Sequence, residues 1–195
     1  MSMDPLVELN GKWMFPFVGQ RKVTSDSMSF INITNENNGL HNLYEVPILP
    51  HVGAFGVARK YNFHEGVDIY AAHGTVVFPV EKGEVVAILN FTGESVGSPW
   101  WEETQAILIE GETGVVCYGE IDPSTHLTVG SKVTSSTFIG TVKTVLKKDK
   151  GRPMSMLHLE LYTHGIREWT AWDIEGYRPE HLLDPTPYLL AAETF

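Results

Sequence analysis

From Val52 onward the chain consists of short runs rich in valine, isoleucine, threonine and aromatic residues, separated by turns that contain glycine. TVVFPV is followed by EKG and EVVAIL, QAILIEG by ETG and VVCYGEI, and KVTSSTFIGTVKTVL and MLHLELY come later. Alternation with a period of two residues, bounded by glycine turns, is typical of antiparallel strands joined by hairpins. This pattern predicts an all-β fold, built as a single antiparallel β-sandwich or barrel-like domain.

The domain is expected over residues 45–190, and residues 1–44 are expected to form an N-terminal extension that wraps around it or pairs with it. The polar stretch INITNENNGLHN (31–42) is typical of a loop or an edge hairpin. One or two helical turns are expected near SPWWEE (98–103) or RPEHLL (178–183). A chain of 195 residues is long enough for one such domain with a substantial core.

Charge and composition exclude several classes of function. The net charge of −10 argues against a nucleic-acid-binding protein, which needs clustered Lys and Arg. The one basic run, KKDKGR (147–152), is interpreted as a solvated hairpin tip. The single cysteine, Cys117, allows neither an intrachain disulfide nor a thiolate zinc site, and its apolar neighbours predict a buried side chain. No apolar run is long enough to span a membrane.

The first residues, MSMDPLVELNGKWMF, carry Asp4 and Glu8 where a secretory signal has a basic start and an apolar stretch. The chain as given is therefore expected to be cytoplasmic. Removal of a leader upstream would instead make it secreted or periplasmic.

His64 and Asp68, in the stretch HEGVDIY, are the first candidate metal ligands. If this stretch is extended, the even separation places both side chains on one face of a strand, and Gly66 permits a bend between them. Imidazole nitrogen and carboxylate oxygen are good zinc ligands, but two ligands do not make a site. Taken alone, the pair is more typical of structural polar residues than of a metal site.

His158, in the stretch SMLHLELY, is the third candidate. Alternation places His158 and Met156 on one face of this predicted strand and three leucines on the other, so that the leucines pack in the core. A partner strand carrying His64 and Asp68 would complete three protein ligands with an open fourth position, the arrangement of a catalytic zinc. A single histidine on a strand is nevertheless more often a hydrogen-bonded polar residue than a ligand.

An ordered set of motifs resembles the lysostaphin or LytM-type zinc metallopeptidases, bacterial endopeptidases that cut peptide cross-bridges in peptidoglycan. HEGVDIYAAHGTVVFPVEKGEVVAI (64–88) is similar to the family's H-x-G-x-D with the apolar hairpin that follows it, and AFGVAR (54–59) is similar to its "FG.R". CYGEI (117–121) stands where the family has "Y.HL", LTVGSKVTSSTFIGTV (127–142) resembles "V..G..V..G..IG", MLHLE (156–160) resembles "HLHFE" and DPTPYL (184–189) resembles "DP..YL". Order and spacing agree over about two thirds of the chain.

The resemblance implies a domain of the LytM (duplicated hybrid motif) type, with a zinc ion in a groove held by His64, Asp68 and His158. It also implies peptidoglycan, or another peptide or glycopeptide, as the partner. Setting His158-Leu159-Glu160 against the family's H-x-H would instead make Glu160 a ligand. The alignment of MLHLE with "HLHFE" matches more positions and is preferred.

Two positions depart from the family pattern. The family keeps two further histidines near the metal, which orient the attacking water or stabilise the tetrahedral oxyanion, and this chain has Glu120 and Met156 in their places. Methionine neither takes a proton nor donates one to an oxyanion, so losing such donors should slow the reaction about 100-fold or more. Glutamate can act as a general base, although its anion would repel a substrate oxyanion unless it is protonated. Glu120 could also pair with a cation, contact the metal or lie on a solvated strand face, and Met156 is expected to fill the groove floor.

Aromatic residues are candidates for the substrate groove, namely Trp100, Trp101 and Tyr118, and Trp169 and Trp172 lie in an insertion before the closing motif. Exposed aromatic residues could line a groove for glycan or peptide, or they could equally pin long loops to the domain. The following histidines are expected at the surface: His51, His73, His126 and His164.

Three functions are compatible with the sequence. The leading hypothesis is a zinc-binding homologue of the peptidoglycan endopeptidases whose catalysis is lost or impaired and which acts as a binding or regulatory module. The second is an active zinc metallohydrolase, an endopeptidase in which Glu120 is the general base. The third is a metal-free structural β domain in which His64 and His158 are hydrogen-bonding residues.

Overall fold

The strands begin and end close to the runs predicted from the sequence. They are seen in a computed structural model, which describes residues 12–26 and 42–195. Residues 31–41 of the expected loop and residues 1–11 at the start of the chain therefore lie outside the described residues. The predicted extension, 1–44, is described only in part.

Short strands joined by turns make up most of the described chain. They are β1 (Gln20–Thr24), β2 (Leu43–Pro47), β3 (Val67–Tyr70), β4 (Val76–Val77), β5 (Gly83–Thr92), β6 (Thr104–Glu110), β7 (Val115–Pro123), β8 (Lys132–Val133), β9 (Gly140–Val142), β10 (Met156–Tyr162) and β11 (Leu182–Leu183). A 3₁₀ turn (Glu94–Val96) and the helix α1 (Thr186–Ala191) complete the described elements. The all-β prediction is confirmed.

The helix α1 lies outside both segments in which helical turns were expected. Residues 98–103 and 178–183 themselves form turns and short extended pieces, and the helical turns lie just outside them, at Glu94–Val96 and Thr186–Ala191. The second segment ends in β11, which pairs with the end of β10 and covers part of its edge. The helix itself follows Asp184, whose Oδ1 accepts the Thr186 N–H at 2.8 Å, and carries Pro187 in its first turn. Among the described residues, no helix has the length and apolar character needed to cross a membrane.

The strand β10 lies at the centre of the arrangement that forms the candidate site. The main path of the sheet runs β11-β10-β7-β6-β5-β8, and β9 joins β7 to β4. β10 also pairs antiparallel with β3, in a register that places His158 opposite Asp68 and Met156 opposite Tyr70. β1 and β2 form a separate parallel pair.

Both faces of β10 are buried. Leu157, Leu159 and Leu161 lie in the hydrophobic core, as the alternation predicts. The opposite face is covered as well, so His158 and Glu160 are removed from solvent. A buried polar group needs a hydrogen-bond partner, so partners for His158 and Glu160 are expected on this face.

The segment 12–24 contributes to the same core as the strands of the domain. Trp13, Phe15 and Phe17 are each at most 2% exposed. The Trp13 ring stacks on Tyr188 with centroids 4.9 Å apart, and the Phe17 ring stacks on Tyr44 at 4.6 Å. A domain boundary at residue 45 stays a prediction, while this described part of the extension packs as part of the core.

Candidate metal centre

Two imidazole nitrogens and one carboxylate oxygen converge where β3 meets β10. Asp68 Oδ1 lies 3.0 Å from His64 Nε2 and 2.7 Å from His158 Nδ1, and the two nitrogens are 3.1 Å apart. All three side chains are buried. These are the residues proposed as ligands from the sequence, and the structure brings their ligand atoms within 4.8 Å of one another.

The register of the strands and one glycine position this cluster. Asp68 and His158 are direct cross-strand partners, and His64 lies in the turn that leads into β3. A Cβ on Gly66 would lie 2.6 Å from Leu159 O and 2.8 Å from His158 Nε2, so only glycine allows the turn to approach β10 this closely. Gly66 thus provides space for His158, in addition to the bend expected from the sequence.

The second nitrogen of each imidazole is held by an acceptor outside the cluster. His64 Nδ1 donates to Ala54 O at 2.9 Å, and His158 Nε2 donates to Glu160 Oε1 at 3.0 Å. The Tyr162 hydroxyl donates to the other Glu160 oxygen at 2.6 Å. With these nitrogens protonated, the lone pairs of His64 Nε2 and His158 Nδ1 face the same space. Glu160, the alternative ligand in the sequence alignment, lies behind the His158 ring and orients it.

Charges around the cluster keep Asp68 ionised. Burial would raise the pKa of Asp68, but the charge of His64 and hydrogen bonds from both imidazoles lower it well below its usual value. Arg59 Nη2 adds an ion pair, 2.9 Å from Asp68 Oδ2. Burial lowers the pKa of His64, although the charge of Asp68 opposes that shift. For His158 the lowering by burial is outweighed by hydrogen bonds to Asp68 and Glu160, which raise its pKa well above the usual value. The cluster therefore favours a cation, either a proton on His158 or a metal ion.

The donor set fits zinc. Zinc binds imidazole nitrogen and carboxylate oxygen at about 2.0–2.2 Å, so tetrahedral ligand atoms lie about 3.3 Å apart. The separations here, 2.7 to 3.1 Å, are close to that value. The hydrogen bonds from His64 Nδ1 to Ala54 O and from His158 Nε2 to Glu160 are also typical, because a metal-binding histidine usually donates its second N–H to such an acceptor.

A cavity of about 490 Å³ borders the cluster. Its size is that of a site for a small molecule or for part of a peptide. Charged, aromatic and apolar side chains line it, including Arg59, Asp68, Tyr70, Glu120, Met156 and His158.

Glu120 reaches this cavity through a bulge in β7. The register shifts from Gln105↔Ile121 to Ile107↔Tyr118, so that β7 has one residue more than β6 between these pairs. Glu120 has a φ of 63°, in the left-handed region that non-glycine residues rarely adopt. A bulge turns a side chain to the other face of its strand, and bulges are frequent beside functional sites. Strict alternation would have placed Glu120 with Tyr118 in the core.

The carboxyl group of Glu120 is buried, and its Oε2 has no hydrogen-bond partner among the described residues. Burial, together with the charge of Asp68, raises the pKa of Glu120 to about 8. An unpartnered buried oxygen is rare in proteins and costs free energy unless a proton, water or ligand satisfies it. Glu120 can therefore exchange a proton inside this cavity close to neutral pH.

Met156 belongs to the apolar wall of the cavity, as the sequence analysis expected. It packs with Tyr70 and Val145, and Trp101 lies against this group and lines the cavity. Trp100, in contrast, is 64% exposed and is not among the lining residues.

Tyr118 lies in the core instead of lining the groove. It is fully buried, and its hydroxyl accepts the Val80 N–H at 2.8 Å. The two insertion tryptophans divide between the expected roles, since Trp169 lines the cavity while Trp172 packs on Phe63 with ring centroids 4.8 Å apart.

Two further residues lie where the sequence analysis did not expect them, and a third was not considered there. His51 was expected at the surface but is 1% exposed, and its Nδ1 accepts the Gly53 N–H at 3.0 Å. Arg152 belongs to the run interpreted as a solvated hairpin tip, yet it lines the cavity. Tyr70 was not singled out, because its position in the cavity depends on its pairing with Met156. Cys117 is buried as predicted.

No protein-family model matches the chain, and no curated protein matches it. Among solved structures, the chain is similar to the catalytic domain of the antimicrobial peptidase lysostaphin from Staphylococcus simulans, with 19% identity and a TM-score of 0.46 over 71% of this chain and 89% of that one. It is similar to LytU, with 18% identity and a TM-score of 0.46 over 70% of this chain and 79% of that one. It is also similar to Csd3 from Helicobacter pylori, with 21% identity and a TM-score of 0.39 over 64% of this chain and 32% of that one. Lysostaphin gives its name to the family whose motifs the sequence resembles.

Proposed function

We propose that this chain is a zinc-dependent peptide hydrolase, acting on peptidoglycan or a related peptide, in which Glu120 transfers the proton. One observation carries the proposal: Glu120, whose buried Oε2 has no hydrogen-bond partner among the described residues, lines the cavity bordered by the His64, Asp68 and His158 cluster. The donor set supports zinc. The motifs that resemble lysostaphin or LytM-type peptidases support the peptide substrate.

His64, Asp68 and His158 are the residues that would hold the ion. Burial lowers the pKa of His64, Glu160 accepts the proton of His158 Nε2, and Arg59 pairs with the second oxygen of Asp68. A zinc ion held there would polarise a substrate carbonyl and lower the pKa of water.

Glu120 would accept a proton from the attacking water and deliver it to the nitrogen of the cleaved peptide bond. Because its pKa is about 8 in the chain alone, the carboxyl group is mostly protonated at neutral pH. A nearby divalent cation favours the ionised form, which can act as the base. Once Glu120 has taken the proton, it no longer repels the negative charge that develops on the substrate.

Met156 supports a second candidate function, the leading hypothesis from the sequence: a zinc-retaining binding or regulatory module with little or no turnover. Its thioether neither accepts a proton nor donates one to an oxyanion, and the side chain packs in the apolar wall. The unpartnered oxygen of Glu120 favours hydrolysis over this alternative, because a binding module has no need of a proton acceptor at this position.

Zinc content and peptide cleavage test the proposal. We expect about one zinc per chain in protein that has not met a chelator, and cleavage of purified peptidoglycan or of pentaglycine by the zinc-loaded protein. Glu120→Gln keeps the size of the side chain and should lower the cleavage rate about 100-fold or more. The matched control is Glu84→Gln, which removes an exposed carboxylate on β5 and should leave the rate unchanged.

Each hypothesis predicts a different result. A zinc content far below one per chain would favour the metal-free structural domain. Zinc at full occupancy with peptidoglycan binding but no cleavage would favour the binding module. Cleavage that survives Glu120→Gln would show that another group is the base.

A further inference from the structure

We propose that the cavity takes a peptide that carries a free carboxylate, and that Arg152 binds this carboxylate. The inference rests on the peptide hydrolysis proposed above and deepens it by naming the class of substrate, an acidic peptide instead of a neutral glycine bridge. It is carried by the charge of Arg152, which lines the cavity and has neither an ion pair nor a hydrogen bond within the described part of the chain.

The two arginines that line the cavity differ in their partners. Arg59 Nη2 donates to Asp68 Oδ2 at 2.9 Å and to Val52 O at 3.2 Å. Arg152 is half-buried. Burial and the charge of Asp68 raise the pKa of Tyr70, whereas the charge of Arg152 lowers it, so the guanidinium lies within electrostatic range of that ring. One arginine is therefore used inside the protein, and the other is free to bind a ligand.

The carboxylates that line the cavity leave Arg152 without a partner. Asp68 and Glu160 bind the groups described above, and Glu65 Oε1 accepts a backbone N–H at 2.9 Å. Glu120 Oε2 has no partner among the described residues, so it does not pair with the arginine either. A guanidinium group matches a carboxylate with two parallel N–H donors, and a carboxylate on a bound peptide would supply the missing anion.

The basic run that ends in Arg152 is docked beside the cavity instead of standing free in solvent. Lys147 Nζ donates to Pro99 O at 2.8 Å. Lys150 Nζ lies 5.4 Å from the centroid of the Trp101 ring, which is part of the cavity wall. These two contacts fasten the run to the segment that forms the wall, and they restrict where the guanidinium of Arg152 can lie.

The same run makes this side of the cavity positive in an acidic chain. Four cations and one anion stand within the six residues KKDKGR, while the whole chain has a net charge of −10. A local charge opposite in sign to that of the molecule attracts an anionic ligand and disfavours a cationic one. The charge distribution therefore favours the same class of substrate as the unpaired arginine does.

Peptide pairs that differ by one carboxylate test the inference on the zinc-loaded full chain. Each pair is an acetylated pentaglycine amide in which one glycine is replaced by glutamate or, in the neutral partner, by glutamine. A further pair compares the C-terminal acid of acetylated pentaglycine with its amide, which separates a terminal carboxylate from one on a side chain. Binding is measured by calorimetry in the Glu120→Gln background, and kcat/KM is measured in the wild type. We expect at least one acidic peptide to bind about 10-fold more tightly than its neutral partner.

Arg152→Gln should abolish this preference without changing the affinity for the neutral peptide. Arg152→Lys keeps the charge but not the two parallel donors, and should retain only part of the preference. The matched control is Arg178→Gln, because Arg178 is exposed and is not among the residues that line the cavity. Zinc content and thermal unfolding, measured on the same samples, check that each variant remains folded and loaded.

The outcomes separate this inference from the proposed function. Equal affinities for the acidic and neutral members of every pair would overturn it. A preference that survives Arg152→Gln would also overturn it, because the carboxylate would then bind elsewhere, for example at the zinc ion. If the wild type cleaves no peptide but Arg152→Gln removes the preference, the hydrolase proposal fails while the assignment of Arg152 stands. Cleavage of acidic and neutral partners with equal kcat/KM would support the hydrolase and count against Arg152.

Discussion

Hydrogen bonds outside the cluster decide which nitrogen atoms face it. Because His158 Nε2 donates its proton to Glu160, His158 Nδ1 faces Asp68 and can either carry a second proton or bind a metal ion. Tyr162 in turn donates to Glu160 and fixes its orientation. The ligand geometry is therefore set by a chain of three side chains, of which only His158 would touch the ion.

We expect Glu160→Ala to weaken zinc binding about 10- to 100-fold, because His158 loses the acceptor that fixes its protonated nitrogen. Competition against a chelator of known affinity measures the effect. Tyr162→Phe keeps the Glu160 carboxylate and is the matched control, for which a smaller loss is expected. Equal zinc affinity in wild type and Glu160→Ala would mean that Glu160 does not orient the ring.

The pH dependence of stability reports the protonation of Glu120. Burial raises its pKa from 4.5 to about 8, so between these values the folded chain holds a proton that the unfolded chain has released. This group therefore lowers the free energy of unfolding as pH rises through the window, by up to about 1.4 kcal/mol for each pH unit. We expect metal-free Glu120→Gln to gain stability relative to the wild type as pH rises from about 5 to about 8, measured by denaturant unfolding. Parallel profiles for the two proteins would contradict a raised pKa.

The candidate ligands were identified from short local patterns, but their interpretation as a metal site came from the ordered set of motifs along the chain. The spacing of His64 and Asp68 and the alternation around His158 can each be read within a few residues. The faces of Tyr118 and Glu120 could not be read this way, because the bulge that separates them arises from pairing with β6. The position of Tyr70 beside Met156 depends on a register between strands far apart in the chain, which no local pattern records.

At the scale of elements, the site depends on how closely the turn before β3 approaches β10. We expect Gly66→Ala to lower the free energy of unfolding by about 1–3 kcal/mol, because the added methyl group would overlap Leu159 O and the His158 ring. Zinc affinity should fall with it, since His158 must move. Denaturant unfolding and chelator competition measure the two effects.

Gly176→Ala is the matched control for this substitution, because the nearest atom to an added Cβ, Asp173 O, is 3.3 Å away. It should change stability much less than Gly66→Ala does. If the two variants had the same stability and zinc affinity, the close approach at Gly66 would not be a constraint.

The strands were easier to predict than the helix. Hairpins such as β5–β6 and β6–β7 follow from alternating runs around glycine turns, and both pairings are antiparallel as expected. The start of α1 carries ordinary local signals, Asp184 before the helix and Pro187 in its first turn. These residues were interpreted only as part of a closing motif, so the signal was present but was not used for secondary structure.

At the scale of the whole molecule, the N-terminal aromatic residues complete the core from outside the main sheet. We expect Phe15→Ala to lower the free energy of unfolding by about 3–5 kcal/mol, because a fully buried ring is replaced by a cavity. Val23→Ala in β1 is the control: Val23 is 46% exposed and its truncation should cost about 0.5 kcal/mol or less. Equal stabilities of the two variants in denaturant unfolding would mean that the core does not depend on this segment.

The long separation along the chain between the paired residues of β3 and β10 has a consequence for synthesis on the ribosome. His64 and Asp68 precede His158 by 94 and 90 residues. At about 5–20 residues per second, the nascent polypeptide carries the first two ligands for about 5–18 seconds before the third is made. During that interval it offers only a weak, two-coordinate site. A metal ion bound by this cluster would therefore be acquired late in biogenesis, when β10 docks.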